Sequence, residues 1–337
     1  MEVFELTRRL IDIESITPNE GEVGDFLERT LSDLARRHSG QVERMEVEPG
    51  RYNILACFGR PRVVLSTHMD TVPPFIPSRE DDEYIWGRGA CDAKGIIAAM
   101  IEAAGRLAGQ GRRDFGLLFV VGEERNSAGA LHAAKTPRGT QFLINGEPTG
   151  NRLALGSKGA LRYEIVAQGR MAHSAYPELG ESAIEKLLNA LERIRRLKLP
   201  SDPVLGPSTL NIGTIQGGRA PNVIPDRARA EIFVRVAGDV DWMRRAIQAA
   251  AQPDAEAKEV LFIPAVRLSA LDGFATTVVA FTTDIPAFGG AWGKPFLIGP
   301  GDIHLAHTTE ERIAKKELLE AVSLYQKLVE KLLTESV

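Results

Sequence analysis

The sequence predicts an α/β fold with a mainly parallel sheet, into which a ferredoxin-like α+β domain is inserted. Short apolar runs of strand length alternate with helical patterns toward both ends of the chain, which is typical of a parallel sheet covered by helices. A block in the middle instead has the order strand–helix–strand–strand–helix. The length of 337 residues also favours two domains, because a single core rarely grows that large.

The first predicted domain comprises residues 1–157 and 264–337. It begins with amphipathic helices over residues 5–13 and 21–37. Apolar runs then predict strands at 52–58, 62–66, 115–121, 141–144 and 295–298. Helical patterns lie between several of these strands, at 95–108 and 128–134, and a long helix over 310–333 ends the chain.

The inserted domain is predicted to cover residues 158–263. Its strands are expected at 160–168, 209–215 and 227–236, and its helices at 181–197 and 240–251. This order resembles a ferredoxin-like unit and differs from the strand–helix alternation on either side of it. The pattern therefore predicts a second, smaller domain within the first.

Composition and charge exclude several classes of protein. The formal net charge of −4 predicts no general attraction to nucleic acid or to acidic membranes. The two cysteines, Cys57 and Cys91, are too few for a disulfide framework. No apolar run approaches the roughly 20 residues that span a bilayer, and the first residues lack the apolar core of a signal peptide. We expect a soluble, cytoplasmic protein.

Imidazole and carboxylate side chains follow four of the predicted strands. They are His68 and Asp70 after 62–66, Glu123 and Glu124 after 115–121, Glu147 after 141–144, and His304 and His307 after 295–298. A further acid, Asp92, follows the glycine-rich segment 86–91. Sites in open α/β sheets form at the carboxyl ends of strands. Several carboxylates at one edge would repel each other without cations between them, and this ligand set suits zinc, cobalt or manganese.

At these residues the sequence resembles the dinuclear-zinc amidohydrolases and exopeptidases, the family of acetylornithine deacetylase, succinyl-diaminopimelate desuccinylase and glutamate carboxypeptidase. The resemblance covers essentially the whole chain. It is carried in order by 66–73 (STHMDTVP), 87–95 (GRGACDAKG), 122–124 (GEE), 146–149 (GEPT) and 299–307 (GPGDIHLAH). The family implies a zinc-exopeptidase-like catalytic domain with an inserted lid or dimerisation domain, and two divalent metal ions per chain, with Zn²⁺ preferred over Co²⁺ or Mn²⁺.

The resemblance also implies a role for each residue of the site. His68 and Glu147 would bind one metal, Glu124 and His307 the other, and Asp92 would bridge them. Asp70 would hold the His68 ring by accepting its second N–H, and Glu123 would be the general base. His304 competes with His307 as a ligand, and the family pattern favours His307. Cys91, beside Asp92, is expected to be a small packed residue.

In the inserted domain, residues 169–174 (GRMAHS) and 217–225 (GGRAPNVIP) match the family. They imply that His173 stabilises the oxyanion of the reaction and that Asn222 contacts the substrate. Arg235 lies where relatives bind the α-carboxylate of the substrate, although a structural salt bridge would also explain this arginine. Dimeric members of the family use this domain as their interface, so a homodimer is a further expectation.

Three functions compete at this point. The favoured one is a deacylase that hydrolyses a small N-acyl amino acid, such as acetylornithine or acetyl-lysine, in amino-acid biosynthesis. The alternative is a dipeptidase, tripeptidase or carboxypeptidase of the same family, which would act on short peptides. A metal-binding protein with a dead site is less favoured, because neither Glu123 nor a ligand is missing. Arg125, Asn126 and Ser127 replace glycines of many relatives, which leaves the substrate open.

Overall fold

The computed structural model describes residues 2–335 and divides into two compact units. The first unit contains the chain up to residue 155, residues 268–277, and the chain from residue 283 onward. The second contains residues 156–267 and 278–282. The chain therefore enters the second unit twice, first for residues 156–267 and again for residues 278–282.

The helices and strands are numbered in chain order. The α-helices are α1 Val3–Ile11, α2 Gly21–His38, α3 Lys94–Gly109, α4 Ala128–Ala134, α5 Ala183–Arg195, α6 Val240–Ala251, α7 Ile285–Phe288 and α8 Lys315–Thr334, and a 3₁₀ turn covers Pro177–Leu179. The strands are β1 Gln41–Glu48, β2 Arg51–Phe58, β3 Val63–His68, β4 Arg79–Glu80, β5 Tyr84–Trp86, β6 Phe115–Val120, β7 Phe142–Asn145, β8 Leu153–Ser157, β9 Gly159–Gln168, β10 Ala172–His173, β11 Ser201–Asp202, β12 Gly206–Pro207, β13 Thr209–Gly217, β14 Val223–Ile224, β15 Arg227–Val236, β16 Glu256–Ile263, β17 Val266–Arg267, β18 Thr276–Val279, β19 Lys294–Leu297 and β20 Arg312–Ala314.

The first unit is built on a six-stranded sheet in the order β1-β2-β6-β3-β7-β19. The pairings β6–β3, β3–β7 and β7–β19 are parallel, whereas β1 and β2 are antiparallel additions at one edge. Strands β3, β6 and β7 are buried along their whole length, as expected when apolar cores cover both faces of a sheet. The predicted α/β class with a mainly parallel sheet is confirmed.

Different helices supply the two cores of this unit. One core joins the sheet to α1, α2, α3 and α8, and a smaller one joins it to α4 and α7. Helix α3 is buried on nearly all sides, which agrees with its apolar, alanine-rich sequence. Between these layers the carboxyl ends of the parallel strands are held at a common edge.

The second unit is a four-stranded antiparallel sheet in the order β13-β15-β9-β16. Helices α5 and α6 share one core with alternate residues of β9 and β15. Strand β16 was not expected from the sequence, because most of its residues are exposed and Glu256, Lys258 and Glu259 obscure the alternation. It completes the βαββαβ order of a ferredoxin-like unit.

The predicted helix over 310–333 is wrong in its first turn, because α8 begins at Lys315. Residues Arg312–Ala314 instead form β20, which pairs antiparallel with β5. Ile313 and Glu311 are buried there, so this short strand is fixed by tertiary contacts. Within the described residues, no helix combines the length and the apolar character that a membrane crossing requires.

Candidate metal centre

The predicted site residues of the first unit follow neighbouring parallel strands. His68 is the last residue of β3, Glu123 and Glu124 follow β6, and Glu147 follows β7. Because β6, β3 and β7 lie side by side and parallel, their carboxyl ends meet at one edge of the sheet. The topology therefore brings together side chains that are far apart in sequence.

Glycines shape two of these strand ends. Gly122 has a φ of +79°, which a residue with a side chain adopts only with strain, and it turns the chain directly into Glu123. A Cβ on Gly146 would lie 2.5 Å from side-chain atoms of Ile96 and Met100, so only glycine fits immediately before Glu147. These positions fix the directions in which the acids leave the sheet.

Asp92 lies between the two histidines of the site. Its Oδ1 is 3.0 Å from Nε2 of His68, and its Oδ2 is 3.4 Å from Nε2 of His307. Nε2 of His307 also lies 3.0 Å from Oε1 of Glu124. Potential ligand atoms of His68, Asp92 and Glu124 all lie within 4.8 Å of one another. The two oxygens of one carboxylate thus face two different histidines.

Glu147 has the features of a ligand without its ion. Its side chain is buried, and among the described residues its Oε1 has no hydrogen-bond partner. Burial raises the pKa of this carboxyl well above its usual range, and the nearby Asp92 adds to the increase, whereas His68 opposes it. A buried, unpartnered carboxylate oxygen is unfavourable unless a cation binds it.

The carboxylate of Asp70 is fully buried and makes several contacts. Oδ1 accepts the backbone N–H of Glu123 and Oδ2 that of Glu124, both at 3.1 Å, and Thr17 donates to Oδ2 at 2.7 Å. The Nδ1–H of His68 donates to the backbone carbonyl of Asp70 at 3.0 Å, and Oδ1 lies farther away at 3.5 Å. Asp70 therefore orients the Glu123–Glu124 turn as well as the His68 ring.

The electrostatics of the cluster fit a cation. Hydrogen bonds with Asp92 and Glu124 raise the pKa of His307 to about 10, although partial burial opposes this increase. Burial lowers the pKa of His68, but its contacts with Asp70 and Asp92 outweigh the effect and the net shift is upward. The carboxylates around the two imidazoles therefore favour positive charge at this place. Divalent cations bound by the same nitrogen and oxygen atoms would supply that positive charge instead.

Glu123 makes no side-chain contact with the two histidines. Burial raises the pKa of its carboxyl well above the usual range, and the neighbouring Glu147 raises it further. Its backbone N–H is held by Asp70. The side chain of Glu124 bonds to His307, so these adjacent acids take different partners.

Sequence reasoning missed two buried acids whose charges act on the proposed site residues. The first, Asp284, precedes α7, and its Oδ1 has no hydrogen-bond partner among the described residues. Burial raises its pKa to about 7, although a hydrogen bond from Ser127 opposes the increase. Its only sequence signal was its position before Ile285-Pro286, which is typical of a helix start.

The second missed acid is Glu311, which binds Arg88 and the segment that carries Asp92. It was hidden by the incorrect assignment of residues 310–314 to a helix. Neither His304 nor Cys91 contacts His68 or Glu124. The His304 side chain is 88% exposed and bonds to Asp302, and Cys91 is buried.

In the second unit, His173 and Asn222 lie on adjacent segments. Strand β10, which ends at His173, pairs with β14, and the N–H of Ser174 donates to the carbonyl of Asn222 at 3.0 Å. The backbone N–H of Ala175 donates to Nδ1 of His173 at 3.1 Å. A neutral ring that accepts at Nδ1 carries its proton on Nε2, so the exposed His173 offers an N–H donor there.

Arg235 lies on β15, opposite Thr209 of β13. Its guanidinium carbon is 4.8 Å from the centre of the Phe233 ring. Among residues 2–335, no carboxylate lies within 4.0 Å of this guanidinium, so no ion pair explains it. Partial burial alone lowers its pKa. The group is a partly buried cation without an ion-pair partner among the described residues.

Comparison with known proteins identifies the family. The model of peptidase family M20/M25/M40 matches residues 64–331. The chain belongs to this family. A peptidase M20 domain-containing protein of Schizosaccharomyces pombe is 38% identical, with 97% of this chain and 84% of the relative covered. A probable carboxypeptidase of Aspergillus oryzae is also 38% identical, with 96% of this chain and 86% of the relative covered.

Solved structures of M20 peptidases have the same fold. A tripeptidase from Staphylococcus aureus superposes with a TM-score of 0.83 at 21% identity, with 99% of this chain and 98% of that chain covered. A dinuclear metal-binding peptidase of the M20 family from Bacillus subtilis superposes with a TM-score of 0.73 at 18% identity, with 99% of this chain and 98% of that chain covered. Membership of the M20 family makes this chain a metallopeptidase-type hydrolase.

Proposed function

We propose that this M20 protein uses two divalent metal ions to hydrolyse the amide bond on the amino side of an amino acid whose α-carboxylate is free. The observation that carries the proposal is the position of Asp92, whose two oxygens face His68 and His307 separately. A carboxylate placed in this way suits a bridging ligand between two ions. The unpartnered Glu147 supports the same conclusion.

N-acyl amino acids and short peptides are the proposed substrates. A deacylase and a carboxypeptidase break the same bond, since both release an amino acid with a free carboxylate. The curated relative from Aspergillus is named a probable carboxypeptidase, which favours peptides. The acetylornithine or acetyl-lysine deacetylase expected from the sequence, with its role in biosynthesis, stays a prediction, as does the cytoplasmic location.

The proposed ligand sets are His68 and Glu147 for one ion and Glu124 and His307 for the other, with Asp92 shared. Nitrogen and oxygen donors of this kind favour Zn²⁺ and also accept Co²⁺ or Mn²⁺. When bound, such ions supply Lewis acidity toward the scissile carbonyl and the attacking water.

The chain's own residues would move the protons. Glu123 would accept a proton from the attacking water on its carboxylate and pass it to the leaving amine. Asp70 would keep Glu123 in place through the hydrogen bond from its backbone N–H. A carboxyl group whose pKa is raised by burial is suited to this transfer, because it holds the proton between the two steps.

Residues of the second unit would bind the substrate. The Nε2–H of His173 would donate to the developing oxyanion, an interaction that contributes roughly 3–4 kcal/mol in comparable sites. The guanidinium of Arg235 would bind the α-carboxylate through two hydrogen bonds, and Asn222 would contact the substrate nearby.

A homodimer through the second unit is part of the proposal. Strand β13 is an edge strand of its sheet. Ile215 on this strand is 55% exposed, and Leu188 on α5 is 46% exposed. Together with Leu191 and Ile212 they line a groove of about 400 Å³. An unpaired edge beside exposed apolar side chains is suited to pairing with a second copy.

One assay tests the proposed reaction. The purified protein is loaded with Zn²⁺ or Co²⁺, and release of free amino acid is followed from N-acetyl amino acids, from dipeptides and tripeptides, and from the same compounds with an amidated carboxyl end. We expect turnover only where the α-carboxylate is free. No turnover by protein that holds two ions per chain would overturn the proposed function, whereas preference for a free amino terminus would favour a dipeptidase or tripeptidase.

A further inference from the structure

A buried ion pair joins two segments that carry proposed metal ligands. Nη1 of Arg88 lies 2.5 Å from Oε2 of Glu311, and the two side chains are 2% and 0% exposed. Arg88 belongs to the segment that leads to Asp92, and Glu311 to the segment that follows His307. The pair is separate from the proposed ligands and from the general base.

The side chain of Glu311 binds backbone N–H groups of the segment that carries Asp92. Its Oε1 accepts the N–H of Gly89 at 2.9 Å and those of Cys91 and Asp92 at 3.3 Å. Three backbone donors that converge on one carboxylate oxygen fix the path of this loop. Because the last of them belongs to Asp92 itself, Glu311 determines where the proposed bridging ligand leaves the backbone.

The side chain of Arg88 binds backbone carbonyls of the segment that carries His307. Its Nη1 donates to the carbonyl of Thr308 at 3.2 Å and its Nη2 to that of His307 at 3.4 Å. His307 has a φ of +65°, a region that residues with a side chain seldom occupy. Such a conformation persists only where surrounding contacts impose it, and Arg88 provides two of them.

The two proposed metal positions differ in how their ligands are supported. His68 is 1% exposed and ends a strand inside the sheet, and Thr67 beside it donates to the carbonyl of Gly146 at 2.8 Å, next to Glu147. The side chain of His307 is 50% exposed and stands on a loop. Glu311 acts on both positions, because they share Asp92, whereas Arg88 also holds His307 and so supports the second position more than the first.

We propose that Arg88 and Glu311 are positioning residues for the proposed ligands. Glu311 fixes Asp92, which both ions share, and Arg88 also fixes His307 and so controls the affinity of the ion held by Glu124 and His307 more than that of the ion held by His68 and Glu147. This inference rests on the proposed two-metal function. If Arg88 served stability alone, its replacement would affect both ions equally or neither.

Titration of the metal-free full-length chain with Co²⁺ tests the inference, with binding followed by the visible absorption of Co²⁺ and by calorimetry. In Arg88→Lys, which keeps the charge but loses the forked donor, we expect the ion held by His68 and Glu147 to bind within about threefold of wild type, and the ion held by Glu124 and His307 to bind roughly 10-fold more weakly. Glu311→Gln should weaken both ions, by roughly 10- to 100-fold, the usual effect of losing an outer-sphere contact.

Glu20→Gln is the matched control. Glu20 forms another buried ion pair of the same unit, with Arg51 at 2.6 Å, and does not bond to either ligand segment. This variant should lower the melting temperature but leave the ratio of the two Co²⁺ affinities unchanged. An unchanged ratio in Arg88→Lys, or unchanged affinities in Glu311→Gln, would overturn the inference. If Glu311→Gln fails to fold, Arg88→Lys decides by the ratio.

The wild-type titration separates this inference from the proposed function. Fewer than two Co²⁺ ions bound per wild-type chain would overturn the two-metal proposal, and the inference with it. Two ions in wild type, with both affinities reduced by the same factor in Arg88→Lys, would overturn only the positioning role of Arg88.

Discussion

The carboxylate of Asp70 accepts the backbone N–H of Glu124, with Oδ2 lying 3.1 Å from the nitrogen. The same carboxylate accepts the N–H of Glu123 and the hydroxyl of Thr17. Burial raises the pKa of Asp70, but its bonds with His68, Thr17 and this backbone outweigh the effect and lower it. Asp70 is thus an ionised acceptor that connects the end of β3 to the turn after β6.

The variant Asp70→Asn should weaken metal binding and turnover together. An asparagine amide keeps one acceptor oxygen, and its NH₂ group would face a backbone donor. We expect metal affinity and kcat/KM to fall by roughly 10- to 100-fold, measured by chelator competition and steady-state kinetics. Thr17→Val, which removes only one hydrogen bond, serves as the control and should lower metal affinity and kcat/KM less than Asp70→Asn does. Equal effects of the two variants would contradict this role.

The variants Glu123→Gln and Glu123→Ala should keep both metals and lose turnover. Glu123 is not among the proposed ligands, so metal content by mass spectrometry should match wild type. The kcat should fall by at least about 10²-fold, the lower end for loss of general-base catalysis. Glu124→Gln, which alters a proposed ligand, should instead reduce metal content. Full activity in Glu123→Ala would show that another group takes the proton.

Metal binding should release protons at pH 7. The pKa of His307 is raised to about 10 in the metal-free protein, so its imidazole is protonated at pH 7 and must lose that proton to bind a metal. Affinity should therefore increase as the pH rises from 7 toward 10. Calorimetry in buffers of different ionisation enthalpy should give at least about one proton released per chain. The number should fall in His307→Gln, and uptake of protons would contradict the assignment.

Arg235→Met should raise KM for substrates with a free α-carboxylate by about 10-fold or more, because a bidentate charge-assisted contact is lost. The kcat should change less. Arg229→Met is the matched control. Arg229 lies on the same strand and the same side of it, but already binds Gln216 and contacts Glu164. Equal KM values for the Arg235 variant and wild type would remove Arg235 from the substrate site.

Ile215→Lys should dissociate the proposed dimer. A lysine at this exposed position of β13 would place a charge among the apolar side chains of the groove beside Leu188. Val260→Lys tests specificity, since Val260 is 45% exposed on β16, at the opposite edge of the same sheet. Light scattering after size exclusion should show a dimer for wild type and Val260→Lys, and a monomer for Ile215→Lys. A monomeric wild type would contradict the proposal.

The local pattern of apolar and polar residues was sufficient to predict the helices and strands in which that pattern is regular. Strand β15 and helices α4 and α6 have the predicted bounds, because alternation or helical periodicity runs through each of them. It was insufficient for β16 and for residues 310–314, where charged residues interrupt the apolar pattern. Pairing with a neighbouring strand determines both segments, and that partner is distant in sequence.

The sequence alone determined which residue types stand at the strand ends, and their motifs were enough to propose His68, Asp92, Glu124, Glu147 and His307 as ligands. Only the tertiary structure decided how those side chains are supported. The contacts of Glu311 with the Asp92 segment and the partial burial of Arg235 depend on atoms brought together from distant parts of the chain. Hydrogen bonds and desolvation act over a few ångströms in space, so one-dimensional spacing does not contain them.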